Sequence, residues 1–280
     1  MEAKYLLVFI VFLFAVSLLF AASSEAKIDP ETIAGIWLFD EDKVIVDSSD
    51  YGNDGTIVGN AKWDTGKFGD ALEFDGVSTY VNCGNGPSLD ITEELTVVAL
   101  VQFDAVDYKN SGGGLFTIAS KGNPDSLSPT AGWWFSHDNR NNGQSFNYTC
   151  FGNKNGGWSG GGNNFGGQSY MFSTGEWYNV AITVRDSVGK MYIDGVQLGA
   201  EKPFVDLVLS NTSTDLTIGS RGTSYYFSGL IDELAIFNVE LEEEDLLAIT
   251  NNGLEESAGP MAVDLSGKIT TTWAKIKASK

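Results

Sequence analysis

The acidic side chains are the first candidates for chemistry in this sequence, because a glycoside hydrolase needs two carboxyl groups flanking the bond that it breaks. On a strand, carboxylates two positions apart share one face. Asp232 and Glu233 are adjacent and therefore point to opposite faces, and the acidic run 242–245 belongs to a predicted helix. Local spacing predicts no catalytic pair, which leaves open only a pair assembled from distant segments.

Other catalytic groups are scarce. His137 is the only histidine, so a histidine relay and a multi-histidine metal site are both excluded. The sequence also contains no strand-flanked nucleophile elbow. We therefore predict that the protein is not an enzyme.

The aromatic residues between positions 132 and 172 are the best candidates for ligand contact. They lie in and beside a segment, 152–168, that is dominated by Gly and Asn. Strand alternation sends neighbouring rings to opposite faces, so one set faces away from a one-sided core. An exposed ring near amides suits the apolar face and hydroxyls of a sugar, whereas a buried ring would belong to the core. The residues predicted to contact a ligand are Trp133, Trp134, Trp158 and Phe165.

The net charge and the cysteine content indicate which binding partners to expect and whether a disulfide can form. The chain carries 17 Lys and Arg against 37 Asp and Glu, a net charge of −20. Such a charge repels phosphate backbones, so nucleic acid is not an expected partner. Cys83 and Cys150 are the only cysteines. They form either a disulfide, with a stabilisation of ~4 kcal/mol in an exported protein, or two buried free thiols.

The N-terminal segment predicts export. Residues 5–22 carry no charge, and small residues at 24 and 26 favour cleavage after Ala26. We expect a signal peptide at 1–26, a secreted or cell-surface protein, and membrane attachment only if this segment stays uncleaved.

The rest of the sequence predicts short strands, which would position the candidate ligand-contacting residues. The segment 177–198 alternates apolar and polar residues through two turns and predicts a three-stranded meander. Further strands are predicted at 32–39, 56–58, 95–103 and 230–237, a hairpin at 71–82, and a helix at 241–250 closed by Gly253. The pattern indicates an all-β, two-sheet antiparallel jelly-roll sandwich with one short C-terminal helix. It spans residues 33–254, and a tail follows at 255–280.

Several blocks of this sequence resemble a known family. They are GIWLFD at 35–40, DSSDYGNDG at 47–55, GKFGDALEFDG at 66–76, the meander, and GLIDELAIFN at 229–238. Their order is similar to that of the laminin-G-like, concanavalin A-like lectin and glucanase domains of bacterial exported proteins. Domains of this kind mostly bind glycans or proteins at the cell surface, and some relatives degrade polysaccharides.

The resemblance also implies a structural calcium ion. In the resembled fold the first and last strands meet, and the segments that carry oxygen-bearing side chains end there. Calcium takes six to eight oxygen ligands with loose geometry. The alternative is that these residues only form turns. The implied ligands are Asp40, Asp47, Asn53, Asp54 and Asp232.

The function that we expect is an exported, non-catalytic module that recognises an extracellular glycan or surface protein. A structural or adhesive surface protein without a glycan ligand is the first alternative, and a polysaccharide-degrading enzyme is the second.

Overall fold

The computed structural model describes residues 28–40, 44–104, 115–122, 132–138, 149–154, 170–210 and 213–259. Within these ranges the chain forms short strands and one α-helix. The strands are β1 (Ile33–Trp37), β2 (Thr56–Val58), β3 (Lys62–Thr65), β4 (Asp70–Asp75), β5 (Tyr80–Asn82), β6 (Leu95–Phe103), β7 (Leu115–Gly122), β8 (Gly132–Asp138), β9 (Cys150–Asn153), β10 (Trp177–Arg185), β11 (Val188–Ile193), β12 (Val196–Gln197), β13 (Lys202–Pro203), β14 (Leu207–Val208), β15 (Thr217–Ile218) and β16 (Ser228–Phe237), and the helix is α1 (Glu243–Ala258).

The strands build two antiparallel sheets that pack face to face. The first sheet has the order β12-β11-β10-β6-β16-β4-β3, with β1 also paired to β16 and β13 to β11. The second has the order β14-β9-β8-β7-β15-β5-β2. Apolar side chains from both sheets, such as Val97, Phe135 and Ile182, form the core between them. The predicted two-sheet antiparallel sandwich is confirmed.

The predicted meander is present as β10, β11 and β12. Val180, Ile182 and Met191 face the other sheet, while Ala181 and Tyr192 face the opposite way and pack under α1. The face predicted to be mostly polar is therefore covered by the helix. The first turn has two residues, Asp186 and Ser187, whose φ angles are both positive (52° and 59°), which suits the twist of a hairpin.

The helix is longer than the sequence predicts. Gly253 was expected to end it, but α1 continues to Ala258 across a kink at Gly253, where φ is 82° and ψ is 171°. The kink frees the backbone N–H of Leu254, which donates to Glu233 Oε2 at 2.8 Å. A buried carboxylate on β16 therefore holds the second half of the helix. Ile28 also packs in the cluster under α1, so the folded unit extends beyond 33–254 at both ends.

The predicted hairpin at 71–82 is wrong. β4 pairs with β16 and β3 in the first sheet, whereas β5 pairs with β15 and β2 in the second. The reason lies in Asp75, whose Oδ1 accepts the backbone N–H groups of Val77, Ser78 and Thr79 at 2.8 to 2.9 Å. These bonds fold a wide loop that carries the chain across the sandwich.

The predicted signal segment lies outside the described residues, as does the predicted tail beyond Gly259. Within the part of the chain that is described, no helix is long and apolar enough to cross a membrane.

Candidate ligand-binding site

The structure places two of the predicted ligand-contacting rings in the interior. Trp133 belongs to the core between the sheets, and Trp134 faces the opposite side of β8, as alternation predicts. Trp134 donates from Nε1 to the hydroxyl of Thr117 at 2.8 Å, and the Arg221 guanidinium lies 4.4 Å from its ring centroid. Tyr225 covers the remaining side at 5.2 Å between centroids.

Both indoles are 1% exposed, so neither presents a face to a ligand. The prediction of ligand contact by Trp133 and Trp134 is therefore corrected: each completes a packed cluster, one inside the sandwich and one on its outer surface. Trp158 and Phe165, the other two predicted contacts, lie outside the described residues.

The two cysteines are buried and are not joined by a disulfide bond, which corrects the disulfide alternative. Cys83 packs in the core between the sheets, and Cys150 packs on Trp134 in the separate outer cluster. Burial and then the charges of Asp47 and Asp54 raise the pKa of the Cys83 thiol well above its ordinary value. This thiol is therefore kept protonated and unreactive.

We expect the native protein to react with no thiol-specific reagent, and the denatured protein to react at both Cys83 and Cys150, because only unfolding exposes the thiols. Thiol titration with and without guanidinium measures this. A non-reducing peptide map that linked the two cysteines would contradict the arrangement.

The loop that the resemblance assigns to calcium is instead a hydrogen-bonded network around Asp47. Oδ1 of Asp47 accepts the N–H groups of Ile36 (2.9 Å) and Ser49 (3.0 Å). Oδ2 accepts the N–H (2.7 Å) and the side-chain amide (2.8 Å) of Asn53. Because the buried carboxylate already accepts four hydrogen bonds, it does not fit a cation ligand.

Asn53 extends this network to the neighbouring elements. Its side-chain amide also donates to the carbonyl of Ala34 (3.2 Å) and the hydroxyl of Ser88 (3.0 Å), and its backbone carbonyl accepts from Trp37 Nε1 (3.0 Å). Asp54 Oδ1 accepts the N–H of Asp47 at 2.9 Å. The Asp47 network thus fixes the loop to β1 and to the segment around Ser88.

The remaining two implied calcium ligands, Asp40 and Asp232, lie at a gap in the first sheet. β4 runs beside residues 228–231 of β16, and β1 runs beside residues 234–237, with a register shift between Ile231 and Leu234. Asp232 sits in this shift. Its Oδ2 accepts the N–H groups of Lys67 (2.5 Å) and Phe68 (2.8 Å), and Asp40 Oδ1 accepts the N–H of Asp70 (2.7 Å).

Ionisation of the carboxyl groups at this gap is electrostatically unfavourable. Burial, and further the negative charge of Asp40, raise the pKa of Asp232 to about 7. Burial likewise raises the pKa of Glu233 to about 8. Oδ1 of Asp232 is buried, and no donor among the described residues reaches it. A Cβ at Gly69 would overlap the carboxylate of Asp40, so the backbone closes tightly over this site.

The five implied ligands therefore do not converge. Among the residues that the structure describes, no three His, Cys, Asp or Glu side chains are placed to hold a metal ion together. Both oxygens of Asp47 already accept hydrogen bonds, and the Asn53 side-chain amide donates to Asp47, Ala34 and Ser88, whereas Asp40 and Asp232 present two carboxylates and one unsatisfied oxygen. Only the second pair fits a cation.

A cleft of about 740 Å³ opens next to the Asp47 network, and we call it the Tyr51 cleft. It lies at the edge of the second sheet, where β2 is the outermost strand. Its lining comes from the loop before β2, from β2 itself, and from the chain after β5. The lining residues are Tyr51, Gly52, Asn53, Asp54, Thr56, Val58, Asn82, Cys83, Gly84, Gly86, Pro87 and Ser88.

The polar groups of the Tyr51 cleft are held in place. Asn82 donates from Nδ2 to Asp215 Oδ2 (2.9 Å) and accepts the N–H of Gly84 (2.8 Å). Ser88 donates to the carbonyl of Ala34 at 2.9 Å. Beside these fixed groups the Tyr51 ring is 53% exposed. An exposed ring next to ordered amides and hydroxyls can stack on the apolar face of a sugar while the polar groups bind its hydroxyls.

Sequence reasoning missed this cleft as a ligand site. Asn82 and Ser88 gave no signal, because they reach the cleft from segments that are distant in sequence.

The chain matches one family in comparisons with known proteins. The sequence model described as the concanavalin A-like lectin/glucanases superfamily (Laminin_G_3) matches residues 75–247. A search of curated protein sequences gave no match.

Several solved structures are similar in fold. Domain 4 of the extracellular arabinanase AbnA from Geobacillus stearothermophilus, in complex with arabinotriose, has 20% identity and a TM-score of 0.59, covering 78% of this chain and 98% of that domain. The receptor-binding domain of botulinum neurotoxin C/D mosaic serotype has 17% identity and a TM-score of 0.57, covering 79% and 51%. A Trypanosoma rangeli sialidase in complex with the inhibitor DANA has 17% identity and a TM-score of 0.51, covering 77% and 32%. At these identities the similarity concerns the fold alone.

Proposed function

Because the chain belongs to the concanavalin A-like lectin/glucanase superfamily, we propose that it is an exported, non-catalytic module that binds an extracellular glycan in the Tyr51 cleft. The observation that carries the proposal is the exposed Tyr51 ring beside polar groups that are already ordered by the fold. Pre-ordered groups lower the entropy cost of binding. Domain 4 of the arabinanase, which was solved with arabinotriose, supports a glycan as the class of ligand.

The lining of the cleft supports a binding rather than a catalytic role. Glycoside hydrolysis needs two carboxyl groups about 5 to 10 Å apart across the scissile bond. Among the described residues that line the Tyr51 cleft, Asp54 is the single carboxylate. One of its oxygens already accepts a hydrogen bond from the N–H of Asp47, so the Asp54 carboxylate also stabilises the loop.

We expect Tyr51→Ala to weaken binding about tenfold, because losing one stacked ring removes roughly 1.4 kcal/mol. A glycan array on the wild type would identify the ligand, and calorimetry would compare the variants. Trp177→Ala is the matched control, since it removes a half-buried ring from β10 on the other sheet. Unchanged affinity in Tyr51→Ala would place the site elsewhere, and an array without any bound glycan would favour the structural or adhesive alternative.

We further propose that, if the protein holds calcium, Asp40 and Asp232 are its side-chain ligands. The unsatisfied buried Oδ1 of Asp232 and the coupling of the two carboxylates support this assignment. A divalent cation would neutralise two like charges that the fold otherwise holds close together.

Calcium is then expected to raise the melting temperature by roughly 5 °C at a hundredfold excess over Kd, which corresponds to about 2.7 kcal/mol. Asp232→Asn should abolish this shift, while Asp54→Asn should retain it. Thermal melts with a chelator and with calcium measure both. Superimposable wild-type curves would show that calcium does not stabilise the protein. A shift lost only in Asp54→Asn would place the calcium site in the loop at 47–55 instead.

A further inference from the structure

The outer face of the second sheet extends from the Tyr51 cleft along β2 and β5. Ile57 and Val81 face the core, so their neighbours on β2 and β5 face outward. Thr56 is paired with Asn82, and Val58 is paired with Tyr80. Since Thr56, Val58 and Asn82 already line the cleft, Tyr80 is the next outward residue beyond it, about 6.8 Å along β5 from Asn82.

A second ring stands beside Tyr80. The centroid of Tyr226 lies 6.4 Å from that of Tyr80, and the two rings are tilted by 44°. Both side chains are half-buried, while the next residue, Phe227, is fully buried in the core. The two tyrosines therefore present a shared apolar surface on the outside of the sandwich.

The backbone that carries Tyr226 is fixed on both sides. The N–H of Phe227 donates to the carbonyl of Gly219 at 2.8 Å, and its carbonyl accepts the N–H of Gly76 at 2.8 Å. On the preceding residue, the carbonyl of Tyr225 accepts from Thr117 at 3.2 Å. The backbone at Tyr226 is therefore already ordered before a ligand stacks on the ring, which lowers the entropy cost of binding.

Charge around this surface is negative. Asp54 lines the cleft, Asp215 holds Asn82, and Asp75 lies near Tyr226. Among the described residues that line the cleft there is no Lys or Arg. Lys121 is fully buried, and it donates to Asn85 and to the carbonyl of Thr214 behind the cleft. An anionic polysaccharide would meet repulsion here, whereas a neutral chain would not.

We propose that Tyr80 and Tyr226 form a second sugar subsite, so that the module binds an internal stretch of an uncharged polysaccharide chain across β2 and β5. This inference rests on the proposed function, because it extends the glycan site that begins at Tyr51. The position of β2 at the edge of the sheet leaves the surface open at the side, so a chain can continue past the cleft.

The test is calorimetry with cello-, xylo- and arabino-oligosaccharides of two to six residues. For the series that binds, wild-type affinity should rise about tenfold with length, the gain expected from one added aromatic contact. Tyr226→Ala and Tyr80→Ala should keep the affinity for the shortest ligand and lose the gain with length. Tyr226→Phe, which keeps the ring, should retain the gain, and Trp177→Ala is the control. Oligogalacturonides of the same lengths should bind more weakly than the neutral series.

The outcomes separate the two proposals. Loss of affinity at every length in Tyr51→Ala, with the length gain intact in Tyr80→Ala and Tyr226→Ala, would support the cleft and overturn the second subsite. Tighter binding of oligogalacturonides would overturn the preference for uncharged chains. Binding of none of the series would overturn the proposed glycan function and the extension together. Thermal melts of each variant establish that it is folded.

Discussion

Asp47→Ala is expected to destabilise the protein by about 4 kcal/mol, which lowers the melting temperature by roughly 10 °C. The buried carboxylate accepts hydrogen bonds from three backbone N–H groups and from the Asn53 amide. Alanine leaves these donors without their acceptor, and each buried unsatisfied group costs about 1–3 kcal/mol. Denaturant unfolding followed by tryptophan fluorescence measures the change.

Asp50→Ala is the matched control, because Asp50 lies in the same loop and is exposed. It should change stability by less than about 0.5 kcal/mol. If calcium raises the melting temperature of the wild type, it should do the same in Asp47→Ala, because Asp47 accepts hydrogen bonds and is not a proposed calcium ligand. A variant as stable as the control, or one that loses only the response to calcium, would refute the role assigned to the Asp47 network.

Stability without a divalent cation is expected to fall by several kcal/mol as the pH rises from about 4 to 8. The pKa values of Asp232 and Glu233 are about 7 and 8 in the folded protein, against ordinary values of 3.8 and 4.5. In this window the folded state retains protons that the unfolded state has released. The stabilisation is therefore complete below the ordinary values and is lost as the pH rises through 7 and 8.

The charged groups facing these two carboxyls are Asp40, Lys67 and Glu255. Glu233→Gln should flatten the profile, because the amide oxygen still accepts from Leu254 without titrating. Asp75 is the contrasting case: burial opposes ionisation, but hydrogen bonds from Ser78, Val77 and Thr79 hold its pKa below the ordinary range. Asp75→Asn should therefore lower stability at neutral pH, and this difference from the wild type should disappear as the pH falls below the ordinary pKa of Asp. Chelator-treated melts across this range that stayed flat in the wild type would contradict the assignment.

The fold was largely predictable because alternation is a local property. β6 and β10 each alternate or run apolar over nine residues, and their predicted positions match the structure. The turn at Asp75 was not predictable, because the same Asp-Gly pair can close a hairpin or open a loop between sheets. The pairing of β4 with β16 and of β5 with β15 distinguishes these outcomes, and both partner strands lie more than 130 residues away in sequence.

The candidate site was less predictable, because it depends on which atoms are already bonded. Asp47 and Asp232 look alike in sequence as acidic residues near strand ends. In the structure one accepts four hydrogen bonds, whereas the other retains a buried unsatisfied oxygen. The burial of Trp134 and the exposure of Tyr51 could not be predicted for a similar reason. Arg221 and Tyr225 cover the tryptophan from a later loop, while the tyrosine stays exposed on a loop that its own backbone bonds hold in place.

The most direct test of the glycan site is a map of amide chemical shifts on adding the best-binding oligosaccharide. We expect the largest perturbations at Tyr51, Gly52, Thr56 and Asn82, with smaller ones at Tyr80 for longer ligands. Perturbations confined to α1 or to the cluster around Trp134, with the Tyr51 cleft unchanged, would contradict it.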